Sequence, residues 1–243
     1  MRTMVSQVTV DPLVLGAEVD RATQRLLDAV AALDEAALAQ PSLLPGWTRG
    51  HVLAHLARNA ESYVNLLTSA RTGQVILPYA SDEARAAGIE AGARRPLAEH
   101  LDDLRTWAAR FREAAAAMPP EAWRVAVPTH RGPRVAATAM WGRLREVEVH
   151  HVDLDVGYAP ADWSDAFSHR LLHEVANDLA RRDGAPPLLL RPTGAGHPLT
   201  IGSGSPEVAG SAQELAGWLT GRSRGAGLTV TPPGPLPALP AWM

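Results

Sequence analysis

The chain has 243 residues, 46% of them hydrophobic and 20% charged, with a formal net charge of -3, a composition that builds a buried core and excludes a disordered chain. All 23 basic residues are arginine, and the mild acidic excess leaves none of the basic field that nucleic-acid or anionic-membrane binding requires. Cysteine is absent, so disulfides, thiolate metal ligands and a protein-borne sulfur nucleophile are excluded, and any thiol chemistry must import its sulfur.

Met1 to Pro12 has neither a basic start nor a long apolar run, and no later stretch reaches about 18 uninterrupted apolar residues, so a cytoplasmic protein without membrane contact is expected. A first helix is predicted from Asp11-Pro12, a capping side chain followed by a proline suited to the first turn, to about Asp34. Leu13, Val19, Leu26, Leu27, Val30 and Leu33 make its apolar side. Pro41 to Gly46 reads as a turn, and Thr48 as the N-cap of a second helix that ends near Arg71, stopped by Gly73. An irregular stretch containing Pro78 and Gly88 precedes a third helix, from about Pro96 to Met118, which Pro119-Pro120 breaks. A fourth helix spans roughly Val135 to Val156 and ends at Gly157.

Beyond it the composition shifts to glycine, proline and short β-prone runs. A helix over about Asp162 to Arg182 ends at Gly184, and Pro187 to Arg191 and Leu199 to Ile201 read as strands. Ser211 and Glu214 form a capping box for a helix over about Ala212 to Arg222, Gly227 to Thr231 offers a last strand, and Trp242 is placed to pin the irregular tail. The expected architecture is α+β: an antiparallel four-helix bundle over residues 1–158 followed by a small α/β domain over 159–243.

Nine histidines are present, and His51 with His55, His169 with His173, and Glu146 with His150 are each four residues apart. Such pairs lie one turn above each other and can close on one metal ion. At about 100° per residue, His55 lies about 40° nearer than His51 to the centre of the stripe formed by Val52, Leu53, Leu56, Ala60, Tyr63 and Leu67. On the fourth helix Glu146, His150 and Asp153 form a strip beside the apolar strip of Met140, Leu144, Val147, His151 and Leu154. A bundle that sets one histidine of the second helix against Glu146 and His150 gives three N/O ligands and an open position, the pattern of a catalytic zinc site. There is no H-E-x-x-H, so a zincin protease is not supported.

Two long motifs carry a family resemblance. Leu43-Leu44-Pro45-Gly46-Trp47-Thr48-Arg49-Gly50-His51-Val52-Leu53-Ala54-His55-Leu56 and Trp141 to Leu154 resemble the signatures of the mycothiol-dependent maleylpyruvate isomerases, a branch of the DinB-like metal-binding bundles, and Ala216 to Gly225, with Gly221-Arg222, resembles their C-terminal motif. The segment His130 to Met140 lacks the acidic residue commonly found shortly before Trp141 in relatives, which bears on substrate range.

The resemblance implies that His55, Glu146 and His150 bind zinc, that Arg222 is catalytic, and that mycothiol is the thiol cofactor. His51 is then a neighbour, and the pair His169 and His173 belongs to an ordinary helix face. Arg49, Arg143 and Arg145 flank the motif helices and are the candidates for contacting an anionic cofactor; as surface ion-pair formers they would contribute little. Asp153 is placed to orient His150. The implied reaction converts maleylpyruvate to fumarylpyruvate in aromatic (gentisate) catabolism, by thiolate addition, rotation about the resulting single bond, and elimination. Zinc would lower the pKa of the bound thiol or polarise a substrate oxygen, and an arginine fork suits a substrate carboxylate. Two other readings stand beside it: a mycothiol S-transferase acting on electrophilic small molecules, and a non-catalytic metal-binding module. The expected partners are a small-molecule substrate and a low-molecular-weight thiol, in a monomer or weak homodimer.

Overall fold

The computed structural model describes residues 11–129, 132–194 and 197–242. Residues 1–10 of the segment read above for targeting signals, together with His130, Arg131, Ala195, Gly196 and Met243, lie outside the described residues. The fold is α+β, and the chain divides into two compact units, Met1–Val156 and Gly157–Met243.

The first unit is built on four long helices, α1 (Pro12–Ala31), α3 (Arg49–Thr72), α5 (Leu97–Ala116) and α6 (Thr138–Asp153), with the short helices α2 (Glu35–Leu38) and α4 (Asp82–Gly92) in the connections. Helix α3 packs on α5 and α6, α1 packs on the same two, and α4 lies on α3. Asp11 caps α1 by accepting the Leu13 N–H at 2.9 Å. The buried stripe of α1 is Leu15, Val19, Ala22, Leu26 and Val30, with spacings of four, three, four and four. Leu13, expected in the core, is 76% exposed because it sits about 200° around the helix from Leu15. Each fully buried aliphatic side chain contributes about 1.5–3 kcal/mol, so this stripe, with Val52, Leu53, Leu56 and Leu67 of α3 and Leu144 and Val147 of α6, is what holds the bundle.

Helix α3 starts at Thr48, whose N–H donates to His51 Nδ1 at 3.2 Å, and stops at Gly73, which takes the left-handed conformation at φ 75°. The stretch read as irregular contains α4, started by Ser81, whose Oγ accepts the Ala84 N–H at 3.1 Å, with Asp82 and Glu83 in the first turn. Gly88 does not break it. Val135, expected to open the fourth helix, instead pairs with Ala126 in a two-stranded ribbon, β1 (Ala126–Val127) and β2 (Arg134–Val135), and α6 begins at Thr138.

The second unit has α7 (Asp165–Leu179), a four-stranded sheet and α8 (Ala212–Leu219). The strands are β3 (Leu188–Pro192), β4 (Leu199–Ile201), β5 (Glu207–Gly210) and β6 (Thr229–Thr231), in spatial order β4-β3-β5-β6. β3 and β5 are parallel, with Leu190 opposite Val208, and the two outer pairings are antiparallel. Leu188, Leu190, Ile201 and Val208 are buried with Leu171, Leu172 and Val175 of α7 and Leu215 of α8. The capping box forms as read, Ser211 N–H donating to Glu214 Oε2 and Glu214 N–H to Ser211 Oγ. Trp242 is buried, and Arg182 donates to its carbonyl and to that of Ala241. Among the described residues no helix is long and apolar enough to cross a membrane.

Candidate metal centre

Packing of α3 against α6 brings three side chains to one point. His55 Nε2 lies 3.1 Å from Glu146 Oε2 and 3.1 Å from His150 Nε2, and the last two atoms are 3.3 Å apart. His55 and His150 are buried, and Glu146 is nearly so. A tetrahedral ion with bonds of about 2.0–2.1 Å spaces its ligands about 3.3–3.4 Å apart. The triangle is therefore close to one face of a zinc tetrahedron, with the fourth vertex left for a ligand. Among the described residues it is the one group of three or more His, Asp or Glu side chains arranged to hold a metal ion.

The surrounding groups set the protons. Asp153, one turn beyond His150 and 1% exposed, has Oδ2 2.8 Å from His150 Nδ1. The carboxylate accepts, so Nδ1 carries a proton and Nε2 faces the centre, the orientation a metal ligand needs. Arg85 Nη2 lies 3.2 Å from His55 Nδ1, and Trp47 meets the His55 ring edge-on at 5.6 Å. Burial pushes the His55 pKa down to about 4, against the hydrogen bond to Glu146, which acts to raise it. Burial acts to raise the Glu146 pKa, but hydrogen bonds from His150 and His55 outweigh it and hold the carboxyl well below its usual range. Burial likewise opposes charge on His150, yet its hydrogen bonds to Asp153 and Glu146 leave its pKa raised.

His51, the alternative on α3, points elsewhere: Nδ1 accepts from Thr48 and Nε2 lies 3.0 Å from Glu90 Oε2. His169 and His173 lie on α7 in the second unit and do not join the cluster. The three arginines proposed to meet a cofactor have distinct settings. Arg49 donates from Nε to the Leu154 carbonyl and from Nη2 to that of Asp155, both at 2.8 Å. Arg143 is 1% exposed, and its Nη1 donates to the Leu56 carbonyl and Asn59 Oδ1, both at 2.9 Å. Burial lowers its pKa to about 10. Arg145 Nη2 lies 3.6 Å from Glu146 Oε1, at the centre itself. Arg222 follows α8 in the second unit, after Gly221 at φ 75°, and its Nη1 donates to the Thr220 carbonyl at 2.7 Å. Sequence reasoning missed Arg85 and Tyr79, which lie in and just before α4, in the stretch taken as irregular.

Residues 19–155 match the model of the mycothiol maleylpyruvate isomerase N-terminal domain. Two solved structures resemble the chain over 96% of its length and 98% of theirs. One is the crystal structure of the mycothiol-dependent maleylpyruvate isomerase, at 27% identity and a TM-score of 0.86. The other is a histidine-to-alanine mutant of an enzyme of that name, at 26% identity and 0.89. No curated protein sequence matches.

Proposed function

Because the chain belongs to the mycothiol maleylpyruvate isomerase N-terminal domain family, we propose that it is a cytoplasmic isomerase converting maleylpyruvate to fumarylpyruvate in gentisate breakdown, with zinc and mycothiol as cofactors. The triangle of His55 Nε2, Glu146 Oε2 and His150 Nε2 carries this reading, since its edges and donor types suit zinc with one position open. Held by these three residues, zinc would supply a Lewis acid beside the reacting atoms, able to lower the pKa of a thiol. Mycothiol would supply the nucleophile that the chain, having no cysteine, lacks, and its reversible addition would free the substrate's cis double bond to rotate.

The protein's own groups have defined tasks in this scheme. Asp153 holds the proton on His150 Nδ1 and so keeps Nε2 directed at the centre. Arg145 sets a positive charge against Glu146. Trp47 packs against the His55 ring at 5.6 Å and helps fix its orientation. Arg143 and Arg49 act as scaffold, the first tying α6 to the α3 carbonyl of Leu56 and the second joining the start of α3 to the chain after α6. Arg222 is proposed to hold a substrate carboxylate, which a planar guanidinium binds through two parallel hydrogen bonds.

The test is turnover by zinc-loaded protein with maleylpyruvate, with and without catalytic mycothiol, the thiol being quantified at the end. Conversion with thiol recovered supports the isomerase; stoichiometric loss of thiol to an adduct replaces it with an S-transferase; binding of zinc without either reaction leaves a non-catalytic module. Arg222→Ala is expected to abolish turnover and leave zinc stoichiometry unchanged. Full activity in that variant removes Arg222 from the mechanism.

A further inference from the structure

The sequence reading left Arg85 without a role, and the structure sets it at the metal centre. Its Nη2 is 3.2 Å from His55 Nδ1, and its guanidinium stands 5.7 Å from the centroid of the Tyr79 ring. The guanidinium thus lies between an aromatic face and the His55 ring nitrogen.

What it lacks is a counter-charge. Arg25 pairs with Glu148, Arg58 with Glu61 and Asp103, and Arg95 with Asp103, whereas Arg85, half-buried, makes no ion pair among the described residues. Arg143 is also without an ion pair, but its guanidinium is satisfied by the Leu56 carbonyl and Asn59, whereas Arg85 meets an imidazole of the centre itself.

The proton inventory points the same way. A guanidinium only donates, so in the structure His55 Nδ1 is the acceptor and Nε2 carries the ring proton. An imidazole that ligates through Nε2 has its proton on Nδ1. Loading the centre therefore sets two donors against each other, and Arg85 must exchange His55 for another acceptor.

We propose that Arg85, braced by Tyr79, is a specificity-determining residue that binds a carboxylate of the ligand beside the loaded metal centre. The chemical class is a small mono- or dicarboxylate, gripped through two of the three guanidinium nitrogens. The assignment rests on the isomerase reading where it names the substrate's carboxylate as that ligand. It predicts carboxylate binding whether or not turnover follows.

The experiment is calorimetric titration of zinc-loaded protein with maleate and with dimethyl maleate, for wild type, Arg85→Met and Arg85→Lys, with zinc stoichiometry measured for each. Methionine keeps the stem that covers Tyr79 and removes the charge; lysine keeps the charge and removes the fork. The expected result is maleate binding weakened ten- to a hundred-fold in Arg85→Met and partly restored in Arg85→Lys, with one zinc in every variant and no change toward the ester. Equal maleate affinity in wild type and Arg85→Met overturns the proposal, as does an equal loss toward acid and ester, or a wild type that does not bind maleate. The isomerase reading is scored separately, by turnover. Arg85-dependent maleate binding without turnover keeps the carboxylate site and rejects the reaction, and turnover with maleate affinity indifferent to Arg85 does the reverse.

Discussion

Asp153 shows how one buried carboxylate can govern a centre it does not enter. By holding the proton on His150 Nδ1 at 2.8 Å, it decides which ring nitrogen faces Glu146 and His55. Asp153→Asn removes the obligate acceptor and is expected to weaken zinc binding about 10- to 100-fold, read by competition against a chromophoric chelator. His100 on α5 makes a prediction about stability. Burial lowers its pKa, against a hydrogen bond to Ala93 that acts to raise it. The unfolded chain takes up a proton near the ordinary value of 6.5 while the folded chain resists. The stability contributed by neutral His100 is therefore complete above that value and lost as pH falls through the lowered folded one. Thermal scans between about pH 7.5 and about pH 5.5 should show a smaller drop in Tm for His100→Gln than for wild type. At this scale the sequence was informative where helical spacing alone decides: the wheel preferred His55 to His51, and the structure sets His55 against Glu146 and His150 while His51 bonds to Glu90. Arg85 was not legible, because its meeting with His55 depends on a connection of about ten residues whose path no periodicity encodes.

Helix α4 exists because two glycines let it approach α3. A Cβ on Gly50 would stand 2.1 Å from the Ala93 carbonyl oxygen, and one on Gly92 would stand 2.8 Å from the Ala54 Cβ. Gly50→Ala is accordingly expected to cost about 1–3 kcal/mol, since the obstacle is backbone and cannot turn aside, and to lower Tm by several degrees in a calorimetric scan. The same contacts explain why this helix was unreadable. Its own glycines, Gly88 and Gly92, look like breakers in one dimension, and only the partner helix shows that Gly92 is a contact surface. The Ser81 cap and the acids after it were the available signal. The long helices were legible from their caps and stops, Thr48 and Gly73 for α3 among them. Strand β5 was not, since its four residues gain their order from a parallel neighbour, β3, from which β4 separates them in the sequence.

At the scale of the molecule, the change from long amphipathic helices to short strands rich in glycine and proline marks the passage from helical unit to sheet unit, and that change of period is visible in the sequence. The three candidate ligands all belong to the first unit, and an ion that binds only the folded form stabilises it by about 2.7 kcal/mol when free metal is 100 times its Kd. Adding zinc should therefore raise Tm and a chelator should reverse the rise; an unchanged Tm would mean that the triangle takes no ion. The clasp at the end of the ligand helices has a further consequence. Arg49 holds the carbonyls of Leu154 and Asp155, and the Leu43 N–H donates to the Asp153 carbonyl at 2.9 Å, so α3 and α6 are fastened by bonds that contain no metal. In a zinc finger the ion must first organise its own site, and much of its binding free energy disappears into that work. Here the fastening bonds contain no metal, so the metal-free chain is expected to keep its fold and resist proteolysis in the presence of a chelator; digestion at the rate of an unfolded chain would refute this.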